Sequence, residues 1–393
     1  MTTKTFDVIL AGGGVMSCAT AYYLLRFDPS LNVAIVEKDP TYAKSSTVLS
    51  DGNIRLQFNI KENVQISQFG LEVLKTFKDD MEVNGEKPDP MFRQEGNLFL
   101  VDQNGLETAK QGLALQQSLG CPVEWLSAQE AMQRFPLYQL DNLAGGTFGS
   151  LDGTMDPNTV LTGMKKKVVA MGATYLEGRV TEILTNKGRV TGVKLSSGET
   201  LKSECILNGT GAWGTDLAKT AGVHLPVQPV KRQVFTFEVD TIPDAVMPLT
   251  VFPSGLYLIH EHGNRFMAGR SFEDDPIGLG DFEVDRNIFL DRMWPELVEY
   301  VPACDRLKLT GGWAGLYAVN TFDGNAILGE WPELKGFYLA NGFSGHGFQQ
   351  CFAVGRYTAE LMLARTPSLD LSIFSAKRIL ENKPVFENPH KLV

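Results

Sequence analysis

Two short apolar runs near the start of the chain have the pattern of buried strands. Residues 6–11 are apolar apart from Asp7, and residues 32–36 are apolar after Asn32. Short, uninterrupted apolar runs are typical of strands in a parallel sheet that is covered on both faces. Residues 18–26 lie between them and have the pattern of a helix. The chain is therefore predicted to begin with a strand, a helix and a second strand.

The rest of the chain alternates short apolar runs with turn signals. Strands are predicted at residues 180–184, 189–195 and 205–208, as a meander that returns to the first sheet. Further strands are predicted at residues 235–239, 255–260 and 265–269, and helices at 288–301 and 349–363. The predicted fold class is therefore α/β with mixed sheets.

Chain length and charge narrow the class of protein. With 393 residues, the chain exceeds what one hydrophobic core usually fills, so two domains, or one large domain with insertions, are expected. Apolar residues make up 43% of the sequence and the formal net charge is −10. A protein that binds nucleic acid usually carries clustered positive side chains that neutralise the phosphates. We therefore expect a globular protein that binds no nucleic acid, and no apolar run is long enough to predict a transmembrane segment.

The cysteines and histidines do not predict a metal site. The five cysteines lie far apart and never in a CxxC spacing, so we interpret them as small core residues in a reducing compartment, which favours a cytoplasmic location. His260 and His262 would share one face of a strand, but the sequence shows no third ligand near them.

The N-terminal segment has one competing interpretation. Residues 6–25 are largely apolar and follow Lys4, and residues 15–18 resemble a lipoprotein cleavage box. However, Asp7 and three consecutive glycines make a poor signal helix, and the segment continues directly into the second predicted strand. We therefore predict that it belongs to the fold rather than to an export signal.

A glycine-rich turn joins the first predicted strand to the first helix. Gly12 permits the tight turn, and Gly14 lets the backbone approach a pyrophosphate at the positive end of the helix. Ser17 takes the third small position. The second strand ends in Glu37, where a carboxylate accepts both ribose hydroxyls of an adenosine group. These features together predict a dinucleotide site, with a ligand-free glycine turn as the alternative, and they do not separate FAD from NAD.

Six later motifs carry a resemblance that covers nearly the whole chain. They lie at residues 42–47, 51–58, 207–213, 311–317, 320–324 and 341–349. In this order they resemble the FAD-dependent D-amino acid oxidase superfamily, on the branch with glycine oxidase, the sarcosine oxidases and D-arginine dehydrogenase. The resemblance implies a discontinuous Rossmann-type FAD-binding domain and a substrate domain built on a large mixed β-sheet. The implied FAD-binding segments are residues 1–84, 145–218 and 322–393, and the substrate-domain segments are 85–144 and 219–321.

The resemblance also implies which residues contact FAD. In the family, the region of residues 342–349 lies beside the flavin pyrimidine ring, where the positive end of a helix stabilises the charge of the reduced flavin. The backbone of Val180 would bracket the adenine. The implied contacts are Gly12, Gly14, Val15, Met16, Glu37, Lys38, Ser45, Ser46, Val180, Gly211, Trp213, Gly315, Gly345, His346, Gly347, Phe348 and Gln349. FAD is expected to be non-covalent, because no histidine precedes His224 and Leu316 aligns with the cysteine that tethers flavin in a relative.

The resemblance implies a reaction as well. Members of the superfamily oxidise the C–N bond of an amino acid or N-alkyl amino acid by hydride transfer to flavin N5, leaving an imine that hydrolyses. An arginine and a tyrosine usually bind the substrate carboxylate. The implied catalytic residues are Arg55, Tyr257, Tyr317 and His346. Tyr317 stands where relatives carry an arginine, so the carboxylate handle is left open between Arg55, Arg232 and Arg270, with Tyr317 as a hydroxyl donor.

The prediction for the electron acceptor depends on an absence. Sarcosine-oxidase-like members place a lysine near flavin N5, whereas this chain has no lysine between Lys231 and Lys308 and aligns Met267 with that position. A neutral thioether cannot supply the charge that favours oxygen reduction. A dehydrogenase that uses a quinone or an electron-transfer protein is therefore favoured over an oxidase that uses oxygen. The competing functions are an FAD-binding assembly or interaction protein with little turnover, and an NAD-dependent dehydrogenase.

Overall fold

The structure is a computed structural model, and it describes residues 4–387. The strands are β1 Lys4–Thr5, β2 Val8–Ala11, β3 Val33–Glu37, β4 Asn53–Ile54, β5 Asn97–Val101, β6 Val123–Ser127, β7 Gly145–Gly149, β8 Gly153–Thr154, β9 Thr174–Glu177, β10 Val180–Asn186, β11 Arg189–Leu195, β12 Thr200–Lys202, β13 Ile206–Asn208, β14 Val227–Glu238, β15 Leu249–Val251, β16 Tyr257–His262, β17 Arg265–Gly269, β18 Lys308–Asn320, β19 Ile327–Glu330 and β20 Phe337–Asn341. The α-helices are α1 Val15–Phe27, α2 Lys61–Asp80, α3 Leu106–Ser118, α4 Ala128–Arg134, α5 Pro157–Ala170, α6 Gly214–Lys219, α7 Trp294–Tyr300, α8 Gly347–Met362 and α9 Lys377–Leu380.

One sheet has the parallel centre of a dinucleotide-binding fold. Its strand order is β19-β20-β13-β2-β3-β9, and every pair is parallel except β19 with β20. Strands β2 and β3 are buried along their whole length, as expected where both faces of a parallel sheet are covered. The two predicted N-terminal strands and the Rossmann-type arrangement are confirmed.

A larger sheet of eight strands carries the other half of the molecule. Its order is β18-β14-β17-β16-β15-β5-β7-β6, and β15 with β5 is its parallel pair. Side chains alternate between the two faces of each strand. Phe235, Leu258 and Ala268 point to a core that includes Phe289 and Leu297 from the helical segment beside the sheet. The predicted large mixed sheet is confirmed. The face of this sheet that points away from the Phe289 core borders the cleft described below.

The predicted meander forms a small sheet of its own. Strand β11 pairs antiparallel with both β10 and β12, and β12 pairs parallel with β1 at the edge of this sheet. The chain then enters β13 in the parallel sheet. Strand β7 pairs with β5 and β6 in the eight-stranded sheet. The implied domain boundaries stay a prediction.

Helix α1 is held between the parallel sheet and helix α8. Its buried residues run without a break from Val15 to Leu25. The two helices approach closely at Gly355, where an added Cβ would lie 2.5 Å from the Cβ of Ala19. This contact fixes the N-termini of both helices relative to the sheet, and both N-termini border the site described below.

Two predicted elements differ from the observed ones. The predicted helix at 288–301 is a π-helical turn, Ile288–Met293, followed by α7, because Pro295 has no N–H to continue the preceding hydrogen-bond ladder. Strand β14 begins eight residues before the predicted strand at 235, because Pro229, Lys231 and Arg232 interrupt the apolar pattern on which the prediction rested.

None of the helices between residues 4 and 387 is long and apolar enough to cross a membrane. The cytoplasmic location stays a prediction.

Candidate active site

The glycine turn between β2 and α1 leaves the start of the helix open. Gly12 has a φ of +87°, and an added Cβ would lie 2.8 Å from the carbonyl oxygen of Gly209, so this position requires glycine. Gly14 is the N-cap residue of α1, with no side-chain cap and no acidic residue in the first turn. The N–H of Val15 makes a long hydrogen bond, 3.4 Å, to Thr47 Oγ1, and the positive end of the helix faces the space beside Gly14, where an anion would be stabilised.

Two charged side chains stand at the end of β3, with Glu37 as its last residue and Lys38 directly after it. The carboxylate of Glu37 accepts hydrogen bonds from the backbone N–H groups of Gly13 at 2.6 Å and Asp39 at 2.9 Å. A carboxylate has about four acceptor positions, so Glu37 can still accept hydroxyl groups. The Lys38 ammonium lies 3.0 Å from the centre of the Trp213 ring, and burial lowers the pKa of Lys38 to about 8. These residues form one end of a polar and aromatic cleft.

One cleft joins this turn to the eight-stranded sheet. Its wall includes fifteen of the predicted FAD contacts. They are Gly12, Gly14, Val15, Met16, Glu37, Lys38, Ser45, Ser46, Val180, Gly211, Trp213, Gly315, Gly345, Gly347 and Phe348. The same wall includes Tyr257, Tyr317 and Arg232 from the larger sheet. A dinucleotide site and a tyrosine and arginine pocket are therefore parts of one continuous space.

The register of the larger sheet places Tyr257 on the cleft. Tyr257 pairs with Gly269, Gly269 with Val234, and Val234 with Trp313, so these residues form one row across four strands. An added Cβ on Gly269 would lie 2.2 Å from the Tyr257 hydroxyl oxygen, so the tyrosine ring crosses the sheet where a neighbour has no side chain. Met267, two residues before Gly269, packs in the same cluster as Tyr257.

A second tyrosine is held by a second glycine. Tyr317 lies on β18, and an added Cβ on Gly345 would lie 2.4 Å from its ring. Gly345 has a φ of +99° and belongs to the loop that leads into α8, which begins at Gly347 without a side-chain cap. The helix predicted at 349–363 is confirmed, and it begins two residues earlier, at Gly347. The loop and Tyr317 meet at the cleft wall.

Three residues that sequence reasoning assigned to the site lie behind the cleft. Among the described residues, Arg55, His346 and Gln349 are not part of the cleft wall. The Arg55 guanidinium lies 4.6 Å from the centre of the Phe58 ring, and its Nη2 lies 3.2 Å from His346 Nε2. Because arginine has no acceptor, Nε2 accepts this hydrogen bond. The backbone N–H of Arg55 donates to Gln349 Oε1 at 3.0 Å. These three residues tie the segment after β4 to the start of α8.

The two competing arginines differ in position. Arg232 lies on the cleft wall, pairs with Asp275, and has its Cζ 5.6 Å from the centre of the Tyr317 ring. Arg270 forms an ion pair with Glu296 at 2.7 Å and is not among the described residues of the wall. Of the three arginines Arg55, Arg232 and Arg270, Arg232 is therefore the one that shares the cleft wall with the two tyrosines.

Sequence reasoning did not assign a role to Asp51. This residue lies half-buried on the cleft wall, which it shares with Tyr257 and Tyr317. Burial raises the pKa of Asp51, and burial together with the nearby Asp51 charge raises the pKa values of Tyr257 and Tyr317. Asp51 stands directly before Gly52 in a motif already singled out, but a lone acidic residue in a loop gives no signal by itself.

One cleft joins the first turn of α1, beside the parallel sheet, to a mixed sheet that carries tyrosine and arginine side chains. This arrangement is that of a dinucleotide-dependent oxidoreductase. Residues 7–361 match the FAD-dependent oxidoreductases described as DAO, and the chain belongs to this family. FAD is the cofactor of the family, so the predicted family and cofactor are confirmed and the NAD-dependent alternative is wrong.

Curated relatives agree with this assignment. FAD-dependent oxidoreductase domain-containing protein 1 of Xenopus laevis is 34% identical, with 97% of this chain and 84% of that protein covered. Mitochondrial sarcosine dehydrogenase of Mus musculus is 24% identical, with 95% of this chain and 41% of that protein covered.

Solved structures show the same fold. L-proline dehydrogenase from P. horikoshii has a TM-score of 0.86 at 26% identity, with 98% of this chain and 100% of that chain covered. Glycine oxidase from Geobacillus kaustophilus has a TM-score of 0.82 at 22% identity, with 96% and 99% covered.

Proposed function

We propose that this protein oxidises the C–N bond of a small amino acid or N-alkyl amino acid by hydride transfer to flavin N5, giving an imine that hydrolyses. The observation that carries the proposal is the single cleft, which runs from the helix start at Gly14 to a pocket with Arg232 and Tyr257. Relatives whose names include glycine, sarcosine and proline as substrates support the substrate class.

The residues at the glycine turn fit the phosphate groups of FAD. An added Cβ on Gly14 would meet only Thr47 Oγ1, at 3.5 Å, so the space beside the helix start belongs to the cleft and not to the protein core. The first turn of α1 would hold the pyrophosphate, Glu37 the ribose, and the backbone of Val180 the adenine. When bound, FAD supplies a two-electron acceptor at its N5 atom.

The pocket in the larger sheet supplies the groups that orient an amino acid. We assign the substrate carboxylate to Arg232, because its guanidinium fork matches a carboxylate and it lies on the cleft wall. The hydroxyls of Tyr257 and Tyr317 are the neighbouring donors, since the raised pKa values of both tyrosines keep them protonated at neutral pH. The N-terminus of α8 lies at the same wall, where its N–H groups stabilise negative charge.

Arg55, His346 and Gln349 act as positioning residues in this proposal. Their hydrogen bonds join the segment after β4 to the loop that opens α8, so they fix the loop that forms part of the wall. His346 accepts a hydrogen bond from a guanidinium through Nε2, which supports a packed, structural histidine rather than a proton carrier.

We propose that the reduced enzyme passes electrons to a quinone or an electron-transfer protein rather than to oxygen. Met267 packs beside Tyr257 on the cleft side of the sheet, where the resemblance expects a lysine. Lys231, the last lysine before Met267, forms an ion pair with Asp281 at 2.7 Å and is not among the described residues of the wall.

The test is anaerobic mixing of the purified yellow protein with glycine, sarcosine, L-proline and other amines, while the flavin absorbance is recorded. Bleaching by one of these amines, with an imine-derived carbonyl product, supports the proposal. A flavin that stays oxidised with every amine in the panel contradicts it and favours an FAD-binding assembly or interaction protein with little turnover.

A further inference from the structure

The wall of the substrate pocket includes a carboxyl group, that of Asp51. Binding of the substrate carboxylate by arginine and tyrosine leaves this group without a role. It lies on the same wall as Arg232, Tyr257 and Tyr317. Partial burial of this carboxylate costs solvation energy, and a substrate cation would offset that cost. Beside the two tyrosines, the wall therefore includes a cationic side chain, Arg232, and an anionic one, Asp51, a pattern that a zwitterionic amino acid complements.

The position of Asp51 is fixed by its own segment. Trp313 Nε1 donates to the Leu49 carbonyl oxygen at 2.9 Å, and the N–H of Met155 donates to the Gly52 carbonyl oxygen at 2.9 Å. Gly52 has a φ of +75°, and an added Cβ would lie 2.0 Å from the Met155 carbonyl oxygen. The backbone on both sides of Asp51 is therefore anchored, and the carboxylate is presented to the cleft by a turn that only glycine allows.

The charged and titratable groups around Asp51 come from four elements. Arg55 lies on its own segment, Tyr257 on β16, Tyr317 on β18 and Arg232 on β14. The positive charge of Arg55 lowers the pKa of Asp51, and that of Arg232 lowers the pKa of Tyr257. Burial has the larger effect and raises the pKa of Asp51, so this carboxylate retains an accepted proton better than an exposed one.

We propose that Asp51 binds the protonated amine of the substrate and accepts its proton, so that the enzyme takes amino acids and N-alkyl amino acids as zwitterions. This inference rests on the proposed function. In the step, an N–H bond of the ammonium breaks, the proton moves to Asp51, and the electron pair stays on nitrogen. That lone pair forms the C=N bond when the α-hydrogen leaves as hydride, with its two electrons going to the bound FAD. The proton on Asp51 passes to water after product release.

The first test compares the pH dependence of flavin reduction in wild type, Asp51→Asn, Asp51→Glu and the exposed control Asp141→Asn. Sarcosine and L-proline are the probes in anaerobic stopped-flow experiments with the FAD-bound protein. An amine with a pKa of about 10 is less than ~1% neutral at pH 7.5, so Asp51→Asn should be reduced on the order of a hundredfold more slowly there. The loss should disappear near pH 10, Asp51→Glu should restore part of the rate, and Asp141→Asn should match wild type.

A role of Asp51 in holding Tyr257 alone gives a different result. In that case Asp51→Asn would lower the reduction rate by the same factor at every pH, because the protonation state of the amine would not matter. Such a parallel pair of pH profiles, or unchanged reduction in Asp51→Asn, overturns the inference while the proposed function stands.

A binding test does not require turnover. N,N-dimethylglycine and isovalerate have the same heavy-atom shape, but only the first carries an ammonium. Calorimetry on the FAD-bound protein at pH 7.5 should show tighter binding of N,N-dimethylglycine by wild type, and Asp51→Asn should lose this preference by at least tenfold. Equal affinity of wild type for the two ligands, including no measurable binding of either, overturns the inference. A preference that depends on Asp51, without flavin reduction by any amine, supports the inference and contradicts the proposed oxidation.

Discussion

Replacing Gly14 by valine separates FAD binding from folding. Gly14 has a φ of −67° and a ψ of 177°, values that valine adopts without strain. An added Cβ meets only Thr47 Oγ1 at 3.5 Å, so the new methyl groups extend into the cleft rather than into the protein. The replacement of a glycine N-cap costs about 1 kcal/mol or less. We expect Gly14→Val to fold and to melt within about 3 °C of the wild-type protein without FAD.

The loss of FAD affinity should be much larger than the loss of stability. The valine side chain occupies the space in which a pyrophosphate would approach the first turn of α1. Two hydrogen bonds from backbone N–H groups to a charged phosphate contribute about 1.5–3 kcal/mol each. Losing both weakens binding by about 3–6 kcal/mol, which is a factor of roughly 10² to 10⁴ in Kd.

The measurements are the flavin absorbance of the purified protein, the Kd for added FAD from flavin fluorescence, and the melting temperature. Gly280→Val is the matched control, because Gly280 is exposed and an added Cβ there meets no atom within 4 Å. Gly12→Ala should instead lower the melting temperature, because alanine does not readily adopt a φ of +87° and its Cβ would lie too close to the Gly209 carbonyl oxygen. A Kd for Gly14→Val within threefold of wild type would refute the assignment of the phosphate site.

Four further results are expected. Arg232→Ala should lower kcat/KM for the amine substrate about a hundredfold, which corresponds to about 3 kcal/mol, and Tyr257→Phe should lower it about tenfold. Arg270→Ala is the control. A loss of kcat/KM in Arg270→Ala alone would show that Arg270 binds the substrate carboxylate. Arg55→Ala should lower the melting temperature and the FAD content together, because the guanidinium supports the start of α8 through His346; a hundredfold rise in KM at unchanged melting temperature would instead make Arg55 the handle. Acid precipitation of the wild-type protein should leave the yellow colour in the supernatant, whereas a yellow pellet would show covalent flavin. In stopped-flow experiments the substrate-reduced enzyme should be reoxidised faster by an artificial quinone than by air-saturated buffer; reoxidation by oxygen faster than turnover, with stoichiometric peroxide, would identify an oxidase.

The sequence alone determined the dinucleotide half of the molecule, because that half depends on short-range pattern. Residues 8–37 place two buried strands, a glycine turn, a helix and an acid in one continuous segment, and each part indicates the same structure. Gly12 needs its positive φ because of the turn itself, wherever the rest of the chain lies. The family resemblance then supplied the cofactor and the second sheet, which the structure and the comparisons confirm.

Only the tertiary structure decided which side chains share the substrate pocket. Asp51, Arg232, Tyr257 and Tyr317 come from distant parts of the sequence. The last three meet because β14 pairs with β18 on one side and with β17 on the other, and β17 pairs with β16. A shift of the β14 register by one residue would turn Arg232 to the opposite face of the sheet. Arg55 lies three residues after Gly52 in its motif, but its guanidinium packs against Phe58 and is not part of the described cleft wall. Sequence spacing cannot give the direction in which such a side chain is buried, because long-range packing determines it.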